Sequence, residues 1–514
     1  MDVTVTISFF TVIILTILYL KTKRKYNFWM KRKVPHVKPL PIAGNYAEYL
    51  LLKKSPGIVV QELCQRFPNE PFIGSFYGTD PALIVQDPEM LKLVFTKDFY
   101  YFTGRENNKY VHSEVMTKSL FFNYGDEWKV VRQHMTPIFS PSKLKNMFYL
   151  IQDCTKLLVT MVERESETTQ IVDVSNLMAR YTMDCVATCG FGVQAKTMEV
   201  KNNNAFQMMA REIFKPTTWH GYKQILRLMW PGLFYLLRLQ WFPQQMSDFF
   251  NQLVKDVIAA RGDKPSDRHD FVDHILTFKK GTFLFGNSTS GGENEVNGKV
   301  RMEVTDDFLV SQCMLLFAAG SETSSLLLSY TLYELAKDQE VQKRVFEEVA
   351  EYFRRQNGTI EYNCVTDLPY LDACLQETSR LYPVLGLLTR EVVEDYTFPT
   401  GLKVEKGMRI HIPVYHLHRN PQYFPEPDKY IPERFLPGAV NVIKKYTYIP
   451  FGEGPRMCIG IRFSKMQTLA GLATFMKNYS VELAEGTPTK VDFDPRVYTG
   501  HATCKLKLKI IKRE

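Results

Sequence analysis

The sequence has no CxxC pair, no internal repeat and no long low-complexity tract. Its nine cysteines are scattered and odd in number, which excludes a dense disulfide framework and favours reduced thiols in a cytosol-facing protein. The net charge of +9 over 514 residues is too mild for a nucleic-acid binder and suits an anionic membrane surface or an acidic partner. A hydrophobic fraction of 45% is sufficient for a large buried core.

Only one stretch is long and apolar enough to cross a bilayer, from Val3 to Leu20. Lysines and arginines follow it between Lys21 and Lys33, and the positive-inside rule predicts that they stay cytosolic. A cleaved signal peptide would carry these features in the opposite order. We therefore expect a membrane anchor over 1–20 and a basic and proline-rich strap over 21–45, followed by a single domain over 46–514. An ordinary linker explains the strap residues equally well.

The rest of the chain predicts a mainly α protein with small β-sheets. Apolar residues recur at helical spacing over most of the region from Ser142 to Glu351, in which Gly286 to Gly298 is a predicted flexible surface loop. Short strand-like runs lie near 71–85, 396–412 and 504–511.

One predicted helix is longer than the others and begins after Thr305, which is a good N-cap residue. Its apolar pattern continues to Ala336 and is nearly uninterrupted around the helix between Met314 and Ala319. A helix that is apolar on all sides is expected to cross the middle of a protein.

The segment from Pro450 to Gly460 carries a cysteine in unusual surroundings. Cys458 is flanked by three glycines, at 452, 454 and 460, which permit tight turns and close approach of the backbone to a ligand. Backbone N–H groups could then point at a buried thiolate, with Arg456 nearby as a fixed positive charge and Phe451 as a shield. The pattern F-x-x-G-x-R-x-C-x-G is long, so the usual alternative of a small buried cysteine is disfavoured.

This segment resembles the heme-binding loop of the cytochrome P450 superfamily, and the resemblance extends over nearly the whole chain. Further family motifs stand in the expected order: Trp128 to Arg132, Ala319 to Thr323, Glu377 to Arg380, and Pro432 to Phe435. The amino-acid sequences of the loop, the strap and the AGSET segment most resemble those of the insect microsomal branch that handles foreign compounds.

The resemblance implies the cytochrome P450 fold, with the long central helix crossing a heme b. It implies Cys458 as the protein ligand of the iron and assigns five further residues to the cofactor: Trp128, Arg132, Arg390, Arg456 and Phe451. It also implies that Glu377, Arg380 and Arg434 form a buried charged triad that shapes the Cys458 segment. Taken alone, these motifs have plainer explanations, such as a surface ion pair or a core tryptophan beside a solvated arginine.

Thr323 and Glu322 distinguish an oxygenase from a simple heme binder. A hydroxyl in an apolar helix can bond to the carbonyl four residues earlier, here Ala319, and bend the helix, while Gly320 helps to open a groove. The resemblance implies that Thr323 and Glu322 deliver protons during oxygen activation. A polar break in a buried helix is the alternative.

The resemblance also implies an apolar substrate pocket lined by Phe121, Phe122, Phe317, Leu385 and Leu387. Its walls are expected to be 104–122, 308–317, 384–389 and 498–501, which suits lipophilic small molecules. The segment from Leu228 to Pro243 is either a core helix or a second membrane contact.

Two electrons must come from another protein, because the sequence has no flavin- or NADPH-binding motif. The expected donor is NADPH–cytochrome P450 reductase, with cytochrome b5 as an additional candidate, on the endoplasmic reticulum membrane with the catalytic domain facing the cytosol. The predicted docking face carries five lysines: Lys129, Lys143, Lys145, Lys444 and Lys445. The rival functions are a hydroperoxide isomerase of the same fold and a non-catalytic heme carrier or sensor.

Overall fold

The computed structural model describes residues 20, 22–105, 108–110, 112–200, 204–262, 266, 270–287, 295–296, 299–439 and 442–513. Apart from Leu20, the predicted anchor lies outside these residues, as do 288–294 and 297–298 of the predicted surface loop. Within the described part of the chain, no helix has the length and apolar character needed to cross a membrane.

The described α-helices run as follows: α1 Phe28–Lys31, α2 Ala47–Leu50, α3 Pro56–Arg66, α4 Pro88–Lys92, α5 Gly125–Met135, α6 Pro141–Asn146, α7 Phe148–Thr168, α8 Val174–Val186, α9 Ala205–Ile213, α10 Thr218–Met229, α11 Pro231–Leu236, α12 Gln244–Ala260, α13 Phe271–Lys280, α14 Asp306–Lys337, α15 Gln339–Arg355, α16 Cys364–Asp367, α17 Pro369–Leu381, α18 Val414–His418 and α19 Ile461–Asn478.

The described strands are short: β1 Phe72–Tyr77, β2 Asp80–Val85, β3 Ile171–Asp173, β4 Phe283–Asn287, β5 Glu295–Val296, β6 Lys299–Glu303, β7 Leu388–Glu391, β8 Tyr396–Thr397, β9 Lys403–Val404, β10 Arg409–Ile412, β11 Tyr479–Leu483 and β12 Lys507–Lys512. They form a four-stranded sheet in the order β1-β2-β10-β7, two three-stranded sheets (β11-β12-β3 and β4-β6-β5) and the β8-β9 pair. A mainly α protein with small sheets is therefore confirmed.

The long central helix forms where the sequence predicts it. The Thr305 hydroxyl oxygen accepts a hydrogen bond from the Phe308 N–H at 3.2 Å, and α14 continues through Lys337. Helix α8 packs across it, and the side chains of α14 are buried on nearly all sides. This burial explains why the sequence has no single apolar stripe here.

The four-stranded sheet is buried on both faces. Phe72 and Phe76 of β1 join one apolar cluster, whereas Ile73 and Tyr77 join another on the opposite face. Alternation of side chains along a strand produces this division. The sheet holds β7, which carries Arg390, in a fixed position.

The strap packs on the edge of this sheet. The Trp29 side chain is fully buried and donates a hydrogen bond to the Ser75 carbonyl at 2.8 Å. A Cβ at Gly74 would lie 2.4 Å from the Trp29 ring, so only glycine leaves room for it. The Gly74 N–H bonds to the Pro35 carbonyl at 2.8 Å. Residues 29–35 are therefore attached to the catalytic body.

Part of the region predicted as mostly helical is a small sheet. The ends of the predicted surface loop form β4 and β5, which pair with β6. The burial of β4 alternates along the strand, a strand period that the helical pattern on either side obscured. A Cβ at Gly286 would lie 2.8 Å from the Val130 side chain, so this glycine allows β4 to pack closely on α5.

Candidate functional site

The loop before α19 turns tightly around Cys458. The Cys458 N–H donates to the Phe451 carbonyl at 2.9 Å, which closes the loop and brings Phe451 beside the cysteine. Gly452 and Gly454 have φ angles of +70° and +72°, which glycine adopts without strain. A Cβ at Gly454 would lie 1.8 Å from the Phe95 carbonyl oxygen. The loop therefore needs glycine at 454 for space as well as for conformation.

Cys458 lies in a cleft. Its side chain is accessible to solvent although protein atoms surround it. Nevertheless, burial among protein atoms raises the pKa of the thiol, and the Gly460 backbone N–H with the charges of Arg132 and Arg105 acts against this rise. The residue also precedes the N-terminus of α19, where the helix dipole favours an anion. A thiol in these surroundings ionises when it binds a metal cation.

Four arginines come together beside this cleft. Arg390 and Arg456 are buried, and the Nε atom of each has no hydrogen-bond partner in the described part of the chain. Burial and the charge of Arg105 lower the pKa of Arg390 to about 9. Burial and the charges of Arg105, Arg390 and Arg132 lower the pKa of Arg456 well below its ordinary value. Among the described residues, no carboxylate forms an ion pair with Arg132, Arg390 or Arg456. Arg132, Arg390 and Arg456 can therefore pair with an anionic ligand.

Trp128 packs against this cluster from α5. Its ring is buried and lies 4.9 Å from the Arg456 guanidinium carbon. Arg456 also donates to backbone carbonyls of Phe121 and Asn123. Trp128 and Arg132 lie one turn apart on α5, as their spacing predicts. Arg105 was not predicted as a cofactor residue, because a single arginine in a loop gives no periodic signal.

Helix α14 has an open face beside the start of α19. The Thr323 hydroxyl donates to the Ala319 carbonyl at 2.6 Å, which confirms the predicted hydrogen bond. Ala319 is exposed, and Gly320, Glu322 and Thr323 beside it are half-buried. Gln467 of α19 donates to the Gly320 carbonyl at 3.0 Å. Gly320 also allows close packing with α8, since a Cβ there would lie 2.9 Å from Val186.

Glu322 and Thr323 point to different partners, although they are adjacent. The Glu322 carboxylate contacts Nε2 of His501 at 2.5 Å, whereas Thr323 bonds within its own helix. The contact between Glu322 and His501 was not predicted. The two residues are 179 positions apart, so only the tertiary fold brings them together.

The predicted charged triad is present, with Glu377 and Arg380 buried and Arg434 half-buried. Arg380 bonds to both carboxylate oxygens of Glu377 at 2.7 Å, and Arg434 reaches the same carboxylate at 3.4 Å. Arg380 also donates to the His418 carbonyl at 2.9 Å, and Nε2 of His418 accepts from the Ile449 N–H at 2.9 Å. These bonds connect the triad to the segment that precedes the Cys458 loop.

The sequence matches known proteins over nearly its whole length. The family model described as Cytochrome P450 matches residues 34–508. The chain belongs to the cytochrome P450 family. Cytochrome P450 6k1 of Blattella germanica is 32% identical over 504 residues, covering 96% of this chain and 94% of the relative. Cytochrome P450 6B2 of Helicoverpa armigera is also 32% identical, covering 98% of this chain and 97% of the relative. A probable cytochrome P450 6g2 of Drosophila melanogaster is 31% identical, with 96% coverage of both chains. These relatives are insect proteins, as the resemblance predicted.

Family membership makes this P450 a heme-thiolate monooxygenase that binds heme b. The residues present fit this group. Cys458 offers the soft anionic ligand that a heme iron accepts from a protein. The four arginines carry the positive charge that two propionate groups would balance, and arginine pairs with carboxylates through two parallel hydrogen bonds. A Cβ at Gly460 would meet no atom within 4 Å, so the loop leaves space beside the cysteine.

The P450 has a cavity that is partly open to solvent. Four of the five predicted lining residues are confirmed: Phe121, Phe122, Leu385 and Leu387. The cavity is also lined by Arg105, Gln224, Arg227, Leu228, Trp241, Leu388, Thr389, Arg390 and Tyr498. Phe317 does not line it. Its side chain is fully buried between Phe206 and Phe250, because α14 is enclosed by α9 and α12 at this turn.

Proposed function

We propose that this P450 inserts one oxygen atom of dioxygen into lipophilic small molecules, foreign compounds or endogenous lipids among them. The observation that carries this proposal is the Thr323 hydrogen bond to Ala319 on the open face of α14, next to the helix that begins at the Cys458 loop. A heme carrier or sensor has no need of a polar groove at this position. Heme b supplies dioxygen activation and electron-transfer chemistry when it is bound.

In this proposal the residues of the protein hold the cofactor and orient the groups that deliver protons. Cys458 is the ligand of the iron, and Phe451 closes the loop around it. Arg132, Arg390, Arg456 and Trp128 hold the propionate side of the cofactor, with Arg105 as a fifth contributor. Thr323 holds its hydroxyl at the open turn and Glu322 supplies a carboxylate nearby, so that protons can be delivered in order.

The cavity supports a lipophilic substrate. Phenylalanine and leucine side chains make up much of its wall, and a few polar groups, including Gln224 and Arg227, lie among them. Pockets of this type bind apolar molecules and orient them through a small number of polar contacts.

Reduction requires a docking face for NADPH–cytochrome P450 reductase, with cytochrome b5 as a second donor. Lys145, Lys444 and Lys445 are exposed, and Lys143 is half-buried. Lys129 lies on α5, the helix that also carries Trp128 and Arg132. Its ammonium group lies 5.6 Å from the Tyr100 ring. A basic surface at this helix suits an acidic partner, whose approach it accelerates.

The exposed apolar residues support a position on the endoplasmic reticulum membrane, with the catalytic domain in the cytosol. Leu236 of α11 is 77% exposed and the following Leu237 is 57% exposed. The aromatic residues of this segment turn inward instead: Tyr235 donates to Glu114 at 3.1 Å. Leucines rather than aromatic residues therefore form the second membrane contact in this proposal, beside the anchor at 1–20.

The test combines a spectrum with a reaction. The purified protein is reconstituted with reductase in lipid vesicles, and we expect the carbon-monoxide spectrum of a thiolate-ligated heme and NADPH consumption that yields an oxygenated product. Cys458→Ala should abolish this spectrum, while the matched control Cys504→Ala should retain it. Turnover of a hydroperoxide without NADPH would favour the isomerase. A thiolate spectrum without turnover of any lipophilic compound would favour the carrier.

A further inference from the structure

Glu322 is held by a residue from the opposite end of the chain. Nε2 of His501 lies 2.5 Å from Oε1 of Glu322, and Nδ1 of His501 lies 2.9 Å from the Thr499 hydroxyl. Both ring nitrogens therefore have a partner. The side chains are only 19% and 14% exposed, so few alternative partners for the carboxylate come from solvent.

The turn that carries His501 is fixed to the rest of the site. Tyr330, two turns after Glu322 on α14, donates to the Gly500 carbonyl at 2.7 Å. The Gly500 N–H donates to the Val384 carbonyl at 2.8 Å. Tyr498, which lines the cavity, donates to the Leu387 carbonyl at 3.0 Å. His501 thus has a defined position relative to both α14 and the cavity wall.

The charges around the ring favour its protonated form. Burial lowers the pKa of His501, but the charge and hydrogen bond of Glu322, together with Thr499 and Asp494, raise it above its ordinary value. Asp494 is itself paired with Arg496 at 2.5 Å. Phe214, which directly follows α9, is a further neighbour: its ring lies 6.0 Å from that of His501 and carries no charge.

We propose that His501 is the positioning residue of Glu322 and reprotonates it during turnover. This inference rests on the proposed function of Glu322 and Thr323. The proton on Nε2 moves to Oε1, which leaves a neutral imidazole and a neutral carboxylic acid. After Glu322 has given its proton to the reaction, the partly exposed imidazole regains one from water. The steps transfer a proton only and need no oxidant or reductant.

The test measures product formed per NADPH oxidised, with hydrogen peroxide quantified in parallel, from about pH 6 to pH 9, the range in which a histidine with a raised pKa titrates. In the wild-type P450 we expect coupling to fall as the pH rises through the pKa of His501. His501→Gln keeps an N–H donor but cannot titrate. It should lower coupling by about 10-fold and remove the pH dependence. This loss is smaller than the roughly 10²-fold lower limit for a general acid, since water still reaches Glu322.

Matched variants separate the possible causes. His36→Gln makes the same substitution in the strap and should leave the profile unchanged. Glu322→Gln should uncouple the enzyme, and the double variant with His501→Gln should be no worse than Glu322→Gln alone. If Glu322→Gln leaves coupling intact, the proposed role of Glu322 fails.

If Glu322→Gln uncouples the enzyme but His501→Gln keeps the wild-type coupling and profile, only the His501 inference fails. If His501→Gln loses the thiolate spectrum, the variant cannot be used, and the pH dependence of coupling in the wild-type P450 is the test. Wild-type coupling that does not change over this pH range overturns the inference.

Discussion

The Cα of Gly454 lies so near the backbone of Phe95 that a Cβ at position 454 would be 1.8 Å from the Phe95 carbonyl oxygen. The Phe95 carbonyl belongs to the backbone, so it cannot rotate away from an added Cβ as a flexible side chain could. We therefore expect Gly454→Ala to displace the Cys458 loop and to abolish the thiolate-type carbon-monoxide spectrum. Gly486→Ala is the matched control. Gly486 also has a positive φ, of +78°, but no atom lies within 4 Å of its Cβ position. An intact spectrum in Gly454→Ala would contradict this geometry.

Arg390 should slow the release of heme. Its buried guanidinium is surrounded by like charges, so a propionate carboxylate is its natural partner. Hydrogen bonds to charged groups contribute about 1.5–3 kcal/mol, which corresponds to roughly tenfold or more in rate. Arg390→Met should accelerate heme transfer to an acceptor protein by about this factor, and Arg390→Lys by less. Arg164→Met serves as control, because the Arg164 guanidinium donates to the Met198 and Glu199 carbonyls and not to any residue of the cluster. Equal rates for Arg390→Met and the control would remove Arg390 from the cofactor site.

Thr323→Ala should uncouple the P450 while heme and substrate binding remain. Among the described residues, the hydroxyl bonds only to its own helix, so its loss costs little packing. Protons should then arrive out of order, and more NADPH should end as hydrogen peroxide. General acid assistance is typically worth about 10²–10⁴ in rate, and we expect a smaller effect because Glu322 remains. Thr323→Ser keeps the hydroxyl and is the control. An unchanged ratio of product to NADPH in Thr323→Ala would leave the threonine as a helix kink only.

Acid should loosen the Cys458 loop through His418. Burial and the charge of Arg380 lower the pKa of His418 to about 3, and its neutral Nε2 accepts the Ile449 N–H. The folded pKa lies below the unfolded value. The contribution of His418 to stability is therefore complete above about pH 6.5 and is lost as the pH falls towards 3. As the pH falls through this window, the free energy of unfolding should fall, because unfolding takes up protons. His418→Gln should reduce the slope of the free energy of unfolding against pH. A slope that is identical in the variant would contradict this assignment.

Membrane attachment should have two separable parts. Deleting residues 2–20 should weaken binding to vesicles but leave the heme spectrum intact. Leu236→Ser together with Leu237→Ser in the truncated protein should remove most of the remaining binding, since both side chains are exposed. Leu157→Ser, at a site 39% exposed on α7, controls for a general loss of surface hydrophobicity. Unchanged vesicle binding after both changes would point to a different contact surface.

Local signals in the sequence were sufficient to predict some of these features. The Thr305 cap and the Thr323 bond to Ala319 involve neighbours three or four residues apart, and such contacts follow from helix geometry. The bond between Glu322 and His501 joins distant segments, and no periodicity encodes it. The family resemblance wrongly placed Phe317 in the pocket wall, because it does not specify which side chains of this chain pack on the helix there, and in this fold the ring contacts Phe206 and Phe250. Strand β3 has three residues, too few for an alternating pattern.

The burial of Trp29 against Gly74 determines how the protein can be shortened. A soluble version that starts at residue 46 would lose this ring and uncover the sheet edge, although residue 46 begins the catalytic domain predicted from sequence. The family model starts at residue 34 and would also omit it. Expression from residue 22 retains Trp29 and its bond to Ser75. For crystallisation, the useful boundary therefore lies between the proposed anchor and the strap.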